Sequence, residues 1–330
     1  MNSAPFYIIG TERSGSNLLR VILNAHPNID VPHPPHIMRY FGPLVDGYGD
    51  VSNPTARAHL IADILRLIET HISPWDITID AKQILEDSSD LMSVVGAIYD
   101  QHCAHTGKQR WGCKSTFMVH YVDEALNRDP DARFIWLVRD PRDVAASSRK
   151  SVFSPCHPVL TARLWRKQQA EAIELMERHP EAVHRLRYED LLTDSETTIR
   201  TLCDFLGEDF VPELLAHQTT TAARQGAELS KSWKNTAAPI LKSNSGKYKT
   251  VLCEAEVAMV ESISGDLMTT LGYSRDLDDS FPRINEVEVQ LRNVLERTGI
   301  EFRSMREDKN HWRRWNRAVL MSWLELRRKG

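Results

Sequence analysis

The chain has 330 residues, 41 of them Lys or Arg and 45 Asp or Glu, for a formal net charge of −4 at pH 7. That balance excludes a broadly basic nucleic-acid binder, and 42% hydrophobic with 26% charged residues excludes a disordered or collagen-like chain. No run approaches the ~20 apolar residues of a membrane span, MNSAPFYIIG lacks the basic flank of a signal peptide, and five scattered cysteines form no zinc-spaced pair, which points to a cytoplasmic, metal-free protein.

In chain order, Phe6 to Ile9 reads as a short buried strand ending at Gly10. Leu18, Val21, Ile22 and Ala25 recur at helical spacing, and Pro27 stops that helix. Residues 28–55, rich in Pro, His and Gly, read as loop. Helices are expected over 55–70 and 88–102, then a strand over 109–113 leading into Lys114. Phe134 to Val138 is apolar without alternation, as in a parallel strand buried on both faces. A helix starts at Pro141, another covers 160–179, a strand follows over 182–188, and a helix over 193–206 ends at Gly207. Strand then helix, repeated, argues for a parallel sheet covered on both faces.

Residues 275–290 read as a linker. From Arg303 to Gly330 nine Lys/Arg stand against three acids, and Trp312, Trp315, Val319, Trp323 and Leu326 fall at helical spacing. This is a basic amphipathic helix. Three readings stay open for it: its Trp stripe packs on the main domain or a second subunit, it lies on an anionic membrane, or it meets a polyanionic acceptor.

Two segments carry chemistry. GTERSGSNLLR at 10–20 lies between a strand and a helix, where unpaired backbone N–H groups and the helix dipole favour an anion. Gly15 allows close backbone approach. Arg13 forks onto phosphate or sulfate oxygens, and Ser14, Ser16 and Asn17 add polar groups. Walker A needs Lys where Ser16 stands and Ser/Thr where Asn17 stands, so metal-dependent nucleotide chemistry is poorly provided for. FIWLVRDPRDVAASSRKS at 134–151 repeats strand, turn and helix. Asp140 suits the N-cap and Pro141 the first helical position. Arg139 then ends the strand at the carboxyl edge, where open α/β sheets bind ligands. Ser147 returns to nearly the same helix face. The plain alternative is an Arg139–Asp143 ion pair with Ser147 as a small helix residue.

Together these segments resemble the PAPS-dependent sulfotransferase family, in which the first loop holds the 5′-phosphosulfate and an Arg and a Ser eight residues later hold the 3′-phosphate. RSGSNLL at 13–19, including Leu18, matches the first motif and Arg139 with Ser147 the second. RYEDLLTD at 187–194, with Tyr188, is similar to the family's helix entry. KSNSGKYK at 242–249 is similar to its late loop over the nucleotide, which nominates Lys242, Ser243, Gly246 and Lys247. The nearest pattern looks like the tyrosylprotein and bacterial branch, with Ala25-His26-Pro27 closing the first helix and Lys114 matching a Lys ahead of the 3′-phosphate Arg.

The resemblance implies a P-loop-like three-layer α/β fold over residues 1–274, with 275–330 as a linker and helical extension. It implies PAPS as donor, PAP as product and no metal. The acceptor is a hydroxyl-bearing small molecule, lipid, glycan or peptide, and a homodimer is compatible. Arg13 and Lys114 are the charge-stabilising candidates. The branch's catalytic Glu is missing from VPHPPHIMRYF, where Pro34 stands. Pro34-Pro35 enforces an extended helix of about three residues per turn, so His33 and His36 project the same way as candidate bases, with His36 preferred. The acceptor is expected against residues 33–55, 75–90 and 152–160. A P-loop phosphotransferase and a non-catalytic nucleotide-binding relative are the rivals.

Overall fold

The computed structural model describes residues 3–229, 231–277 and 283–329. Five parallel strands form one sheet: β1 (Phe6–Gly10), β2 (Ile29–Asp30), β3 (Arg110–Lys114), β4 (Arg133–Val138) and β5 (Val183–Arg187), in the order β2-β3-β1-β4-β5. β1 is central, with Tyr7 opposite both Cys113 and Phe134. Four strands match the sequence expectation closely. β2 lies in a segment read as loop, because two residues carry no detectable pattern.

The helices are α1 (Ser16–Asn24), α2 (Ile37–Phe41), α3 (Pro54–Glu69), α4 (Ala81–Asp87), α5 (Leu91–Thr106), α6 (Val122–Arg128), α7 (Pro141–Ser148) and α8 (Pro158–Arg178). They continue with α9 (Tyr188–Thr193), α10 (Ser195–Leu206), α11 (Thr221–Leu229), α12 (Tyr248–Val251), α13 (Glu254–Thr270), α14 (Glu286–Glu307) and α15 (His311–Lys329).

Strand periodicity builds the layers. Tyr7, Ile9, Trp111, Phe134 and Trp136 point to one face and pack under residues of α3, α5 and α8. Phe6, Ile8, Ile135, Leu137 and Leu186 point to the other and pack against α1, α9 and α10. The expected three-layer α/β class is therefore what the chain forms. Gly10 makes the sharp exit from β1: its φ is 132°, and a Cβ there would sit 2.3 Å from the Leu137 carbonyl oxygen.

The C-terminal region corrects two expectations. Residues 286–290 are helix rather than linker, capped by the Asn285 side chain, and the basic helix is two helices broken at Asp308. The Trp stripe does not dock on the body: Trp312, Trp315 and Trp323 are exposed, while Met321 and Leu324 are buried. Three arginines of α15 reach inward instead, while Arg327 stays outside over the Trp323 ring. Arg313 donates to the His71 carbonyl at 3.2 Å, Arg317 to the Tyr40 hydroxyl, and Arg328 to Asp63 at 3.1 Å. A long Arg stem covers apolar surface while its head finds acceptors, so a basic face docks as readily as an apolar one. Among the described residues no helix is long and apolar enough to cross a membrane.

Candidate active site

The carboxyl ends of β1, β3, β4 and β5 release Thr11, Ser115, Arg139 and Tyr188 at one edge of the sheet. α8 fixes two of these exits from below. Its Trp165 indole donates to the Arg139 carbonyl at 3.0 Å, and its Gln169 accepts from Trp136 at 2.7 Å and donates to Thr11 Oγ1 at 2.8 Å. A fully buried amide is satisfied on both sides, which pins the loop register.

The first loop is tightly wound. Arg13 has φ 74° and Gly15 φ 96°. The ring of Tyr188 occupies the place of a Gly15 side chain: a Cβ there would lie 2.3 Å from two ring carbons. No side chain caps α1, so its first N–H groups are left for a ligand. Ser14 Oγ and Asn17 Oδ1 are buried without a hydrogen-bond partner.

Around that loop the cations converge. Arg13 Nε donates to Ser147 Oγ at 3.1 Å. Arg139 donates to the Arg13 carbonyl at 3.1 Å and to the Asn244 carbonyl at 2.8 Å, stands 3.6 Å from Asp143, and lies 4.4 Å above the Tyr188 ring. Only one half of the plain alternative is thus present. Arg139 does approach Asp143, but Ser147 is engaged by Arg13. Burial, then Arg139, pulls the Arg13 guanidinium down to about 10, and burial, then Arg20, brings the Lys114 ammonium to about 8. Buried cations that depress one another are relieved by an anion between them.

Asp143 serves the late loop more than it serves Arg139. Its two oxygens accept from the Gly246 N–H at 2.8 Å and the Tyr248 N–H at 3.0 Å. Asn244 donates to the Tyr188 hydroxyl at 2.5 Å. Lys247 faces the cleft, and Gly246 is held as described. Lys242 and Ser243 are outside the cavity lining, as is the buried Ser14.

The cleft has a volume of about 1010 Å³ and is lined by Arg13, Gly15 to Leu18, Lys114, Arg139, Ser147 and Tyr188 at one end. His33 and His36 both line it. His36 sits at φ 59°, a strained position for a non-glycine residue, with Nδ1 3.2 Å from Ser115 Oγ. Burial, then Lys114 and Arg317, pushes its imidazole well below the usual range. His33 has no hydrogen-bond partner on either ring nitrogen and packs between the rings of His71 and Trp233. His26 contacts backbone only, reaching the Asp209 carbonyl.

The family model described as "Sulfotransferase family" matches residues 5–212. The chain belongs to the sulfotransferase family. Its fold is similar to the sulfotransferase domain of the Synechococcus PCC 7002 olefin synthase, with a TM-score of 0.54 at 22% identity, over 80% of this chain and 96% of that one. It is similar also to the sulfotransferase domain of the curacin biosynthetic pathway, with a TM-score of 0.54 at 20% identity, over 83% and 99%. Comparison with curated proteins returns no match.

The end of the cleft away from the anion loop is not lined by all the stretches that the sequence put against the acceptor. Of the stretches proposed, His33 to Tyr40 and Val152 to Ser154 contribute, but residues 41–55 and 75–90 do not. Trp233, Ile240 and Leu241 line it instead, together with Arg297, Met305, Trp312, Arg317 and Met321 from α14 and α15. Sequence reasoning also missed Glu12, whose oxygens meet Arg39 at 3.1 Å and Ser154 at 3.0 Å, and Ser115, adjacent to Lys114 in sequence. Ser115 was open to detection by that adjacency. The α15 residues carried no such signal, since nothing local says which body a basic helix covers.

Proposed function

We propose that the protein transfers a sulfuryl group from PAPS to a hydroxyl or phenol of its acceptor, with His36 as general base. The observation that carries this reading is the pair of arginines, Arg139 buried and Arg13 half-buried, facing one cleft above an uncapped helix start. Residues 13–18 suit the phosphosulfate end, and Arg139 with Ser147 the 3′-phosphate. Tyr188 and the loop carrying Lys242, Ser243, Gly246 and Lys247 suit the nucleotide between them. Orphaned Ser14 Oγ and Arg139 Nε, both able to donate, are consistent with a polyanionic guest still to be bound.

In the proposed step the acceptor oxygen forms the new S–O bond, the bond from sulfur to the 5′-phosphate oxygen breaks, and PAP leaves with that electron pair. The acceptor proton passes to His36 Nε2. This requires Nδ1 to carry hydrogen and donate to Ser115 Oγ, a role the 3.2 Å contact permits. Burial keeps the imidazole neutral at working pH, the form a base needs. Arg13 and Lys114 offset charge developing on the transferred group in a site where such terms are worth several kcal/mol. His33 lacks an orienting partner, which favours His36.

The test is calorimetric titration with PAP in EDTA, with ATP as control. Tight PAP binding that is lost in Arg139→Ala supports the reading. Absent PAP binding, or ATP binding that appears only when Mg²⁺ replaces EDTA, moves the protein to the phosphotransferases.

A further inference from the structure

Away from the anion loop, the arginines that line the cleft each have a carboxylate partner, except Arg317. Arg39 meets Glu12 at 3.1 Å. Arg297 and Arg314 both approach Glu301, at 4.0 Å and 3.6 Å, and Arg314 meets Asp308 at 3.2 Å as well. Arg317 meets no carboxylate among the described residues: its guanidinium lies 4.8 Å above the Tyr40 ring and donates to the Tyr40 hydroxyl. It is half-buried and faces the cleft. A cation drawn partly out of water without a counter-ion is costly, and the planar guanidinium fork matches an anion with two oxygens. A second polar group at this end also lacks a partner. His33 is 8% exposed, lines the cleft, and has neither ring nitrogen hydrogen-bonded.

Arg317 stands close to the proposed base. Tyr40, on which it rests, follows His36 by four residues, one turn of about 5.4 Å along a helix. Its charge is the largest acting on His71 and second only to that of Lys114 on His36. The rest of this end is apolar. Trp233 stacks on Phe153 at 5.3 Å and 7° and lies 4.9 Å from His33, and Ile72 and Met321 complete the wall. We propose that the acceptor is a hydroxy acid, an apolar body that presents its hydroxyl to His36 and its carboxylate to Arg317. Two fixed points orient the reacting oxygen, which one apolar wall alone does not. Arg317 lies beyond residues 5–212, so the subsite belongs to this chain's own C-terminal helices and not to the stretch that the family model matches. The inference deepens the proposed function and rests on the acceptor entering beside His36.

Calorimetric titration of the donor-free full chain compares two matched pairs: para-hydroxyphenylpropanoate with its amide, and ω-hydroxydodecanoate with its amide. One acid or both should bind roughly 10–100-fold more tightly than the amide. Arg317→Gln should erase that difference, while Arg317→Lys, which keeps the charge and loses the fork, should retain part of it. Acids that bind no better than their amides in both pairs, or that do not bind at all at millimolar concentration, overturn the proposal. So does an acid preference that survives in a folded Arg317→Gln. The comparison of acid with amide uses the unmutated protein and needs no variant to fold. Titration with PAP separates this subsite from the donor reading. PAP affinity should be unchanged in Arg317→Gln, and its loss would assign Arg317 to the donor and overturn the subsite. A chain that binds the acids through Arg317 but never binds PAP upholds the subsite and removes the donor.

Discussion

Gly15 satisfies two constraints with one missing atom. Its φ of 96° belongs to glycine, and the space a Cβ needs is filled by Tyr188. Gly15→Ala should therefore cost about 1–3 kcal/mol in urea unfolding and abolish PAP binding in the same titration, whereas unchanged binding would remove the loop from the site. His36→Ala should lower turnover by roughly 10²–10⁴-fold while leaving PAP affinity intact. His33→Ala should cost far less, and the reverse ranking would reassign the base. Because the folded imidazole of His36 titrates well below 6.5, the acid limb of the rate profile should lie below that pH. A limb at or above 6.5 would point to another group. That Arg13 and Arg139 would meet at one edge of the sheet was legible from their positions after β1 and β4. The Arg13–Ser147 bond was not, since it depends on how two loops 134 residues apart settle against each other.

Asp143 shows how one helix joins two loops. It stands in the first turn of α7, and both its oxygens are taken by N–H groups of the segment before and within α12. Asn in its place can accept one of those hydrogens but points its own amide hydrogens at the other. Asp143→Asn should therefore be nearly as damaging as Asp143→Ala, each losing about 1–3 kcal/mol of stability and at least tenfold in PAP affinity. Full affinity in either variant would show that the late loop does not hold the nucleotide. The element pattern was largely legible where runs are long and buried, as in β4 and α8. It failed for α2, α4 and α6, whose five to seven residues give periodicity too little length to register. At α15 it gave the helix but not the docked face, and it gave no element where α13 runs for 17 residues.

Across the whole molecule buried histidines set a response to acid. His33, His36, His71 and His217 all titrate below their ordinary value, His71 at about 3 and His217 at about 4, chiefly through burial. The unfolded chain takes up protons near 6.5 and the folded chain only lower. Stability is therefore full above 6.5 and falls as pH drops through the interval toward 3. The urea midpoint should decline over that range, and His71→Phe should flatten the decline; a midpoint level down to pH 4 would contradict the burial of these rings. The loops at 10–20 and 134–151 could be placed because their motifs are local and lie within residues 5–212. The opposite wall of the cleft could not, because α14 and α15 reach it from a distant part of the chain.

The acceptor wall also has a place in time. α15 binds His71, Asp63 and Tyr40 across separations of 242, 265 and 277 residues, so it is synthesised long after those partners. Closing such loops costs entropy that only the completed body repays. A nascent chain should thus build the sheet and its anion loops as an open half-cleft, and acquire acceptor selectivity as its final folding event. Pulse-labelled hydrogen exchange during refolding should protect the amides of β1 and β4 before those of α15. Simultaneous protection would mean that the half-cleft never exists by itself.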